Sequence, residues 1–398
     1  MNLLSGLFSL PLWGLVALGV LFTHLTIVGI TLYLHRSQAH RAVDFHPAVA
    51  HAMRFWVWLT TGMVTKEWVA VHRKHHATTE SDADPHSPQV HGLSEILLTG
   101  VKYYRRSAWD RSVVEKYGRG TPDDWIERNL YSRYPILGLS ILVPLWIVLF
   151  GPLGLTLWAA QMIWVPFFAA GVVNGLGHHS GYRNYDTADA STNLVPWGVV
   201  IGGEELHNNH HAYPSSARFS LKPWELDIGW LYIQLLSALG LAKVRRVAPI
   251  PVHIEGKRGL DFDTVKALVV ARMHVLAEYY RGVVVPTVRD ELDRCADRTW
   301  RPWLRRGARY LRHEPEAFED RRIRDGLCSL VEHFDAIGTV VAFRRRLKDI
   351  WSRSHASQEA VLQAFQDWCR EAEETGVRSL QEFAQRLRGY SLKDMPLV

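Results

Sequence analysis

Eight histidines stand in three short runs: His35 and His40; His72, His75 and His76; and His207, His210 and His211. Imidazole is the commonest side-chain ligand for transition metals near neutral pH, so runs this dense point to a metal site. In His-x-x-His-His the rings stand at i, i+3 and i+4, on one helix face. The second and third runs are each expected to aim three ring nitrogens at one point. In His-x4-His the two rings diverge by roughly 140° on an α-helix. The first run is therefore expected where a helix ends and the backbone turns back toward the metal. Eight ligands exceed the four to six or so that one ion takes, which makes two metals the economical reading. Cys295, Cys328 and Cys369 all lie in the C-terminal part, against a zinc ribbon or an iron–sulfur cluster. A pair of irons held by imidazoles and open to dioxygen is the expectation. The isolated His253, His274, His313, His333 and His355 read as solvated or as bonded within helices.

Positioning these residues requires a membrane. Hydrophobic residues make up 47% of the 398, tryptophan reaches 16, and the apolar residues come in blocks. Residues 10–34 carry no formal charge and are long enough to span a bilayer. The start of the chain has neither the basic residues nor the cleavage site of a secretory signal, so this first helix is expected to be retained. Residues 134–150 and 155–177 are two more uncharged stretches, split by the turn-like run from Gly151 to Gly154, and read as a helical hairpin. Residues 47–71 are apolar and rich in tryptophan but carry Arg54, Lys66 and Glu67. A crossing there would put the first two histidine runs on opposite faces, which a shared site forbids. The stretch is expected to be an interfacial or re-entrant helix returning to its own side. Arg36, Arg41, Arg73, Lys74, Lys102, Arg105 and Arg106 flank the runs, so the metal face is expected to be cytoplasmic and the N-terminus external. Trp56, Trp58 and Trp68 read as part of an aromatic belt.

Residues 227–241 read as an interfacial helix and 246–260 as a linker containing two prolines. From 261 to 398 the composition changes to charged amphipathic helices, with Ser379 and Glu382 as a capping box and Gly376 as the preceding helix end. The arginine clusters here read first as a solvated face, then as contacts with anionic headgroups; no nucleic-acid partner is expected. The fold class is all-α: a membrane-embedded helical domain over 1–245 carrying the histidine site, followed by a soluble helical extension of unassigned role.

Together, His35 to Arg41, Lys66 to His76, the Asp84-Pro-His86 run and Gly203 to Pro214 resemble the integral-membrane fatty acyl desaturases, bacterial delta-9 type, which are similar to acyl-CoA desaturases. The resemblance covers about residues 10–245. It implies a ninth histidine ligand, His178, and a further position, Asn174, that holds a metal-bound water. Being at i and i+4, the two are expected on one helix face. Asp84, His86 and Glu204 match residues that order the ligand set without joining it. One departure is that animal acyl-CoA enzymes have two membrane helices before the first run, where this chain has room for one.

The resemblance further implies two iron ions, dioxygen, and a saturated acyl chain carried on coenzyme A or a phospholipid, in a bacterial inner membrane. No Gly-rich nucleotide loop, haem pattern or iron–sulfur cysteine set is visible in the sequence. The electrons are expected from a separate ferredoxin, rubredoxin-like protein or cytochrome. A hydroxylase of alkanes, sterols or other lipids, built on similar runs, is the alternative. The four-residue gap in the first run and the Gly-Glu-Glu before the third favour desaturation. A metal carrier would want ionisable groups within the spans, and deep in the first one stands only His24.

Overall fold

The computed structural model describes residues 6–257, 259–317, 320–352 and 357–392; His355 lies outside them. The chain divides into two compact units, Met1–Ala248 and Pro249–Val398.

In the first unit, α1 (Leu12–Val28) is apolar all round and continues without a break into a π-wound segment, Gly29–Ala39. Together they make a 28-residue apolar helix; Pro152–His178 makes another of 27 residues. Both exceed the ~20 residues needed to cross a bilayer. The second begins as α8 (Pro152–Pro166) and pairs with α7 (Leu137–Phe150), a shorter apolar helix of 14 residues. The α7–α8 turn needs glycine twice: Gly151 has φ 66°, and a Cβ on Gly154 would meet the Trp146 carbonyl oxygen. Large apolar side chains stand bare along these helices, with Trp13 76%, Val20 65% and Ile163 71% exposed. Water would penalise such a band and lipid would not.

Residues 47–71 form two helices rather than one. α2 (Pro47–Thr61) stops at Gly62, which takes a left-handed φ of 69°, and α3 (Thr65–Thr78) starts three residues later. The tryptophans expected in an aromatic belt are used internally. The Trp56 indole donates to Thr26 Oγ1 and that of the buried Trp58 to the Tyr134 carbonyl, while Trp68 stacks on His72. The other elements that matter are α4 (Pro88–His91), α5 (Leu93–Ala108), α6 (Arg111–Tyr117), the six-residue α9 (His207–Ala212) and α10 (Ile228–Ala238). Strand β1 (Val43–Phe45) pairs antiparallel with β4 (Ala242–Val244), and β2 (Trp197–Gly198) lies parallel to β3 (Leu226–Asp227).

Arg36 is not a surface charge. It is fully buried, bidentate to Asp227 at 2.9 and 3.0 Å, with its guanidinium 3.8 Å over the Phe219 ring. Asp227 also accepts from the backbone of Phe219 and Trp230, and so caps α10. Arg73 likewise spends its guanidinium on four backbone carbonyls, those of Gln38, Ala39, Tyr117 and Arg119. Asp227→Ala would strand a buried cation, at a cost of about 3–5 kcal/mol. The expected result is loss of most folded protein in detergent, read as a lowered thermal midpoint. An unchanged midpoint would remove this pair from the determinants of the fold.

The second unit packs helices α11 (Phe262–Val270) to α18 (Arg378–Arg388) around Leu327, Ile337, Leu347, Phe365, Trp368 and Phe383. Within the stretch read as a linker, β5 (Val252–His253) pairs with β6 (Tyr390–Ser391). Gly376 has the left-handed φ of 73° expected after a helix, but the capping box is absent. α18 starts at Arg378, so Ser379 is already inside it, and its hydroxyl meets Thr287 Oγ1 instead.

Candidate metal centre

The nine histidines form two sets. His35, His40, His72, His76 and His210 make one; His75, His178, His207 and His211 make the other, and within each set one nitrogen per ring lies within 4.8 Å of all the others. The His-x-x-His-His runs therefore do not each feed one point. On an α-helix the i+4 residue stands about 40° from i and the i+3 residue about 60° to the opposite side. The i, i+4 pair stays together and the i+3 residue departs. On α3, His72 and His76 join the five-membered set and His75 the other; on α9, His207 and His211 join the four-membered set and His210 the other. The two sets meet where the His76 and His211 rings stack, 4.4 Å apart.

The first run reaches one set by another device. The π-wound segment is tied by i→i−5 bonds, such as His40 N to His35 O, which brings residues five apart onto a common side. His178 sits on a single 3₁₀ turn (Leu176–His178), and Asn174 closes the π-wound Phe167–Val173. They do not share an α-helical face, because the helix unwinds between them.

A six-residue helix is marginal on its own. The two asparagines inside the third run hold α9 in place: Asn208 Oδ1 accepts from the backbone of Asn184 and Tyr185, while Asn209 bonds Asn184, Asn193, Phe219 and Glu225.

Four rings are backed by carboxylates on Nδ1: His35 by Glu204 at 2.7 Å, His75 by Asp84 at 3.0 Å, His178 by Glu80 at 3.3 Å and His211 by Asp189 at 2.9 Å. An ionised carboxylate accepts only, so each of these Nδ1 atoms carries the proton and each Nε2 is a bare lone pair. Yet the Nε2 atoms of His75 and His178 are 3.2 Å apart. Similar approaches join His178 to His207 at 3.0 Å, His35 to His210 at 3.1 Å and His40 to His72 at 2.8 Å. For His75 and His178, both fixed by carboxylates, two lone pairs face one another at this range, and a shared cation would satisfy them. Metal–nitrogen bonds of about 2.1 Å would span these gaps at angles of roughly 85–100°. The donor set fits two metal ions.

Burial, then the neighbouring rings, pushes His40, His72, His76, His207 and His210 well below the ordinary imidazole range, which keeps them neutral as metal ligation requires. His211 is pushed down to about 4 by burial, against the pull of Asp189. Burial alone would raise the carboxylates. The Nδ1–H hydrogen bond from His211 works against it for Asp189, and those from His75 and His35 do so for Asp84 and Glu204, so all three are held low.

Asp84 and Glu204 thus bond directly to candidate ligands. His86 is buried against the His75 ring, 4.6 Å away, and among the described residues neither of its nitrogens is hydrogen-bonded. Glu80 and Asp189 were not legible, lying 98 and 22 residues from their histidines with no periodic relation to them.

The sets open onto a cavity of about 380 Å³ lined by His35, His72, His86, His207, Glu204 and Asn174 and otherwise mostly by apolar side chains. The Asn174 amide nitrogen donates to the Ala169 and Ala170 carbonyls, and among the described residues its Oδ1 accepts no hydrogen bond.

Residues 11–233, all in the first unit, match the family model described as fatty acid desaturase. The chain is 31% identical over 233 residues to the sn-1 stearoyl-lipid 9-desaturase of Anabaena variabilis, covering 58% of this chain and 83% of that one. It is 33% identical to the Delta-9 acyl-lipid desaturase 1 of Arabidopsis thaliana, covering 54% and 70%, respectively. With the Acyl-CoA 5-desaturase AL21 of Anemone leveillei it shares 32%, covering 59% and 71%.

Proposed function

From the premise that the chain belongs to the fatty acid desaturase family, we propose that it places a cis double bond at the delta-9 position of a saturated acyl chain, using dioxygen and two electrons at a pair of irons. The observation that carries this reading is the pair of neighbouring imidazole sets opening onto one largely apolar cavity. His35, His40, His72, His76 and His210 would hold one iron; His75, His178, His207 and His211 would hold the other. Five imidazoles exceed a tetrahedral zinc site and suit a six-coordinate ion. Asn174 Oδ1 would hold a water beside the four-histidine set, consistent with its place in the cavity wall.

Two hydrogens must leave unactivated methylenes, which no side-chain acid or base achieves, so the irons supply the oxidising power. The protein supplies position. Glu204, Asp84, Glu80 and Asp189 fix ring tautomers, and the largely apolar cavity walls hold one pair of methylenes at the metals. Burial of each methylene contributes about 0.8 kcal/mol, which gives binding but little discrimination by position.

The relatives' printed names favour a lipid-linked acyl chain over a coenzyme A ester, and membrane lipids as the surroundings. The metal face is assigned to the cytoplasm of a bacterial inner membrane. Electrons come from a separate ferredoxin, rubredoxin-like protein or cytochrome. The test is expression in a host lacking unsaturated fatty acids, with double bonds mapped in free and esterified pools. A delta-9 alkene is expected; an alcohol without alkene would replace this reading by hydroxylation.

A further inference from the structure

The cavity has two unlike ends. Ile27, Ile30, Val173 and Ile201 wall one region, and each is more than nine-tenths buried. Trp109 and Ile136, also in the lining, are 75% and 69% exposed, so the cavity reaches the surface there. Polar side chains in the wall are mostly accounted for. Thr31 is bonded to Glu204, Thr61 to the Val57 carbonyl and Asn174 to two carbonyls, and the imidazoles belong to the metal sets or lie against them.

Besides the exposed Arg105 and Trp109 and the Trp68 indole that stacks on His72, two polar side chains remain. Glu67, in the first turn of α3, and Tyr104, on α5, both face the cavity, and no hydrogen bond is recorded for either side chain among the described residues. They are close enough to act on each other electrostatically. Tyr104 sits on the same helix as the cavity's exposed Arg105 and just ahead of Trp109, which places the pair toward the open end. Glu67 precedes His72 by five residues, about 7.5 Å of helix rise.

A half-buried acid and a phenol without partners are costly in an apolar cavity unless a ligand completes them. A saturated acyl chain offers one polar atom group along its length, the carbonyl at its head. We propose that Glu67 and Tyr104 form a carbonyl anchor: they hold the acyl carbonyl oxygen of an ester or thioester, so that the distance to the metals is counted from the carboxyl end. This inference rests on the acyl-chain reading of the site. The Tyr104 hydroxyl donates to the carbonyl, and Glu67 donates when protonated; its burial, then the nearby Glu127 charge, pushes its carboxyl up. Both act as positioning residues. The closed apolar region then takes the methyl end.

The test compares binding of three probes with the same stearyl chain: monostearoylglycerol, stearoyl-coenzyme A and the octadecyl glycerol ether, which lacks the carbonyl. Each displaces a fluorescent fatty acid from the full-length protein in detergent. Wild type is expected to bind at least one carbonyl probe about 5- to 30-fold more tightly than the ether, as one or two net hydrogen bonds would give. Preference for the ester marks a glycerolipid carrier, and preference for the thioester marks coenzyme A.

Glu67→Leu and Tyr104→Phe should each shrink that ratio and together bring it near one, while Glu67→Gln, which still donates, retains most of it. The same variants should scatter the double-bond position in the product with iron content unchanged. A wild-type ratio near one, or a ratio unmoved in iron-loaded Glu67→Leu and Tyr104→Phe, overturns the assignment. Discrimination by a wild type that makes no alkene would sink desaturation and leave the anchor standing; alkene formation without discrimination would do the reverse.

Discussion

His75→Ala is expected to lower the metal content from two ions to one per chain and to take alkene formation below detection. The argument lies in the partition of the rings. Of the two histidine sets, His75 belongs to the four-membered one, where its Nε2 faces that of His178 at 3.2 Å; its Nδ1 side meets Asp84 and the His86 ring. Its neighbour His76 belongs to the other set and faces His210 at 2.9 Å. If each His-x-x-His-His run fed a single ion, His75→Ala and His76→Ala would damage the same ion, and the double variant would still hold one. With the partition seen here, the double variant damages both sets and should fall toward none. His75→Ala with His211→Ala stays within one set and should stop at one ion. Metal analysis of these two double variants decides the matter, since equal contents would refute the partition. Each double variant removes two imidazoles, one of them His75 on α3; the second is His76 on α3 in one and His211 on α9 in the other.

How much of this could be read beforehand follows from what holds each part. The three histidine runs were legible because ligands on a short helix must repeat at three and four residues. Their division between two ions was not, because i+3 and i+4 look like one face until a second helix fixes which side each ring meets. The His35–His40 spacing looked incompatible with a helix. It marks a π-wound segment, whose bonds run five residues back, and nothing else between Gly29 and Ala39 announces it. Gly62 was visible as a glycine inside an apolar stretch, but its left-handed φ, which splits residues 47–71 into α2 and α3, depends on where α3 must point. Arg36 and Arg73 read as surface charges because burial is a property of the fold; Asp227 lies 191 residues from Arg36. Asp84 and Glu204 stood beside recognisable motifs, whereas Glu80 and Asp189 reach their rings across loops. The capping box at Ser379 failed because α18 starts one residue earlier, at Arg378, which puts Ser379 inside the helix, where its hydroxyl meets Thr287, 92 residues away in sequence.

The second large effect is expected at Asp84, which binds no metal in this reading. The residue is 2% exposed, both carboxylate oxygens lie 3.0–3.1 Å from His75 Nδ1, and the carboxylate also accepts from the backbone nitrogens of Glu80 and His86. One carboxylate thus sets the His75 tautomer and shapes the turn that carries Glu80, itself the partner of His178. Two of the four rings in that set depend on it. Removing an outer partner of a ligating histidine costs 10- to 100-fold in metal affinity or activity, and Asp84→Ala should reach the upper part of that range, about 100-fold. Asp84→Asn keeps an acceptor oxygen for Nδ1 but loses the charge, and should fall between the two. Chelator competition on the purified protein measures this, and only one of the two ions should loosen. Groups that act through one another are not additive. In the His75→Ala background, Asp84→Ala should therefore change metal retention far less than it does alone. Full additivity would mean that Asp84 acts on the turn and not through the ring.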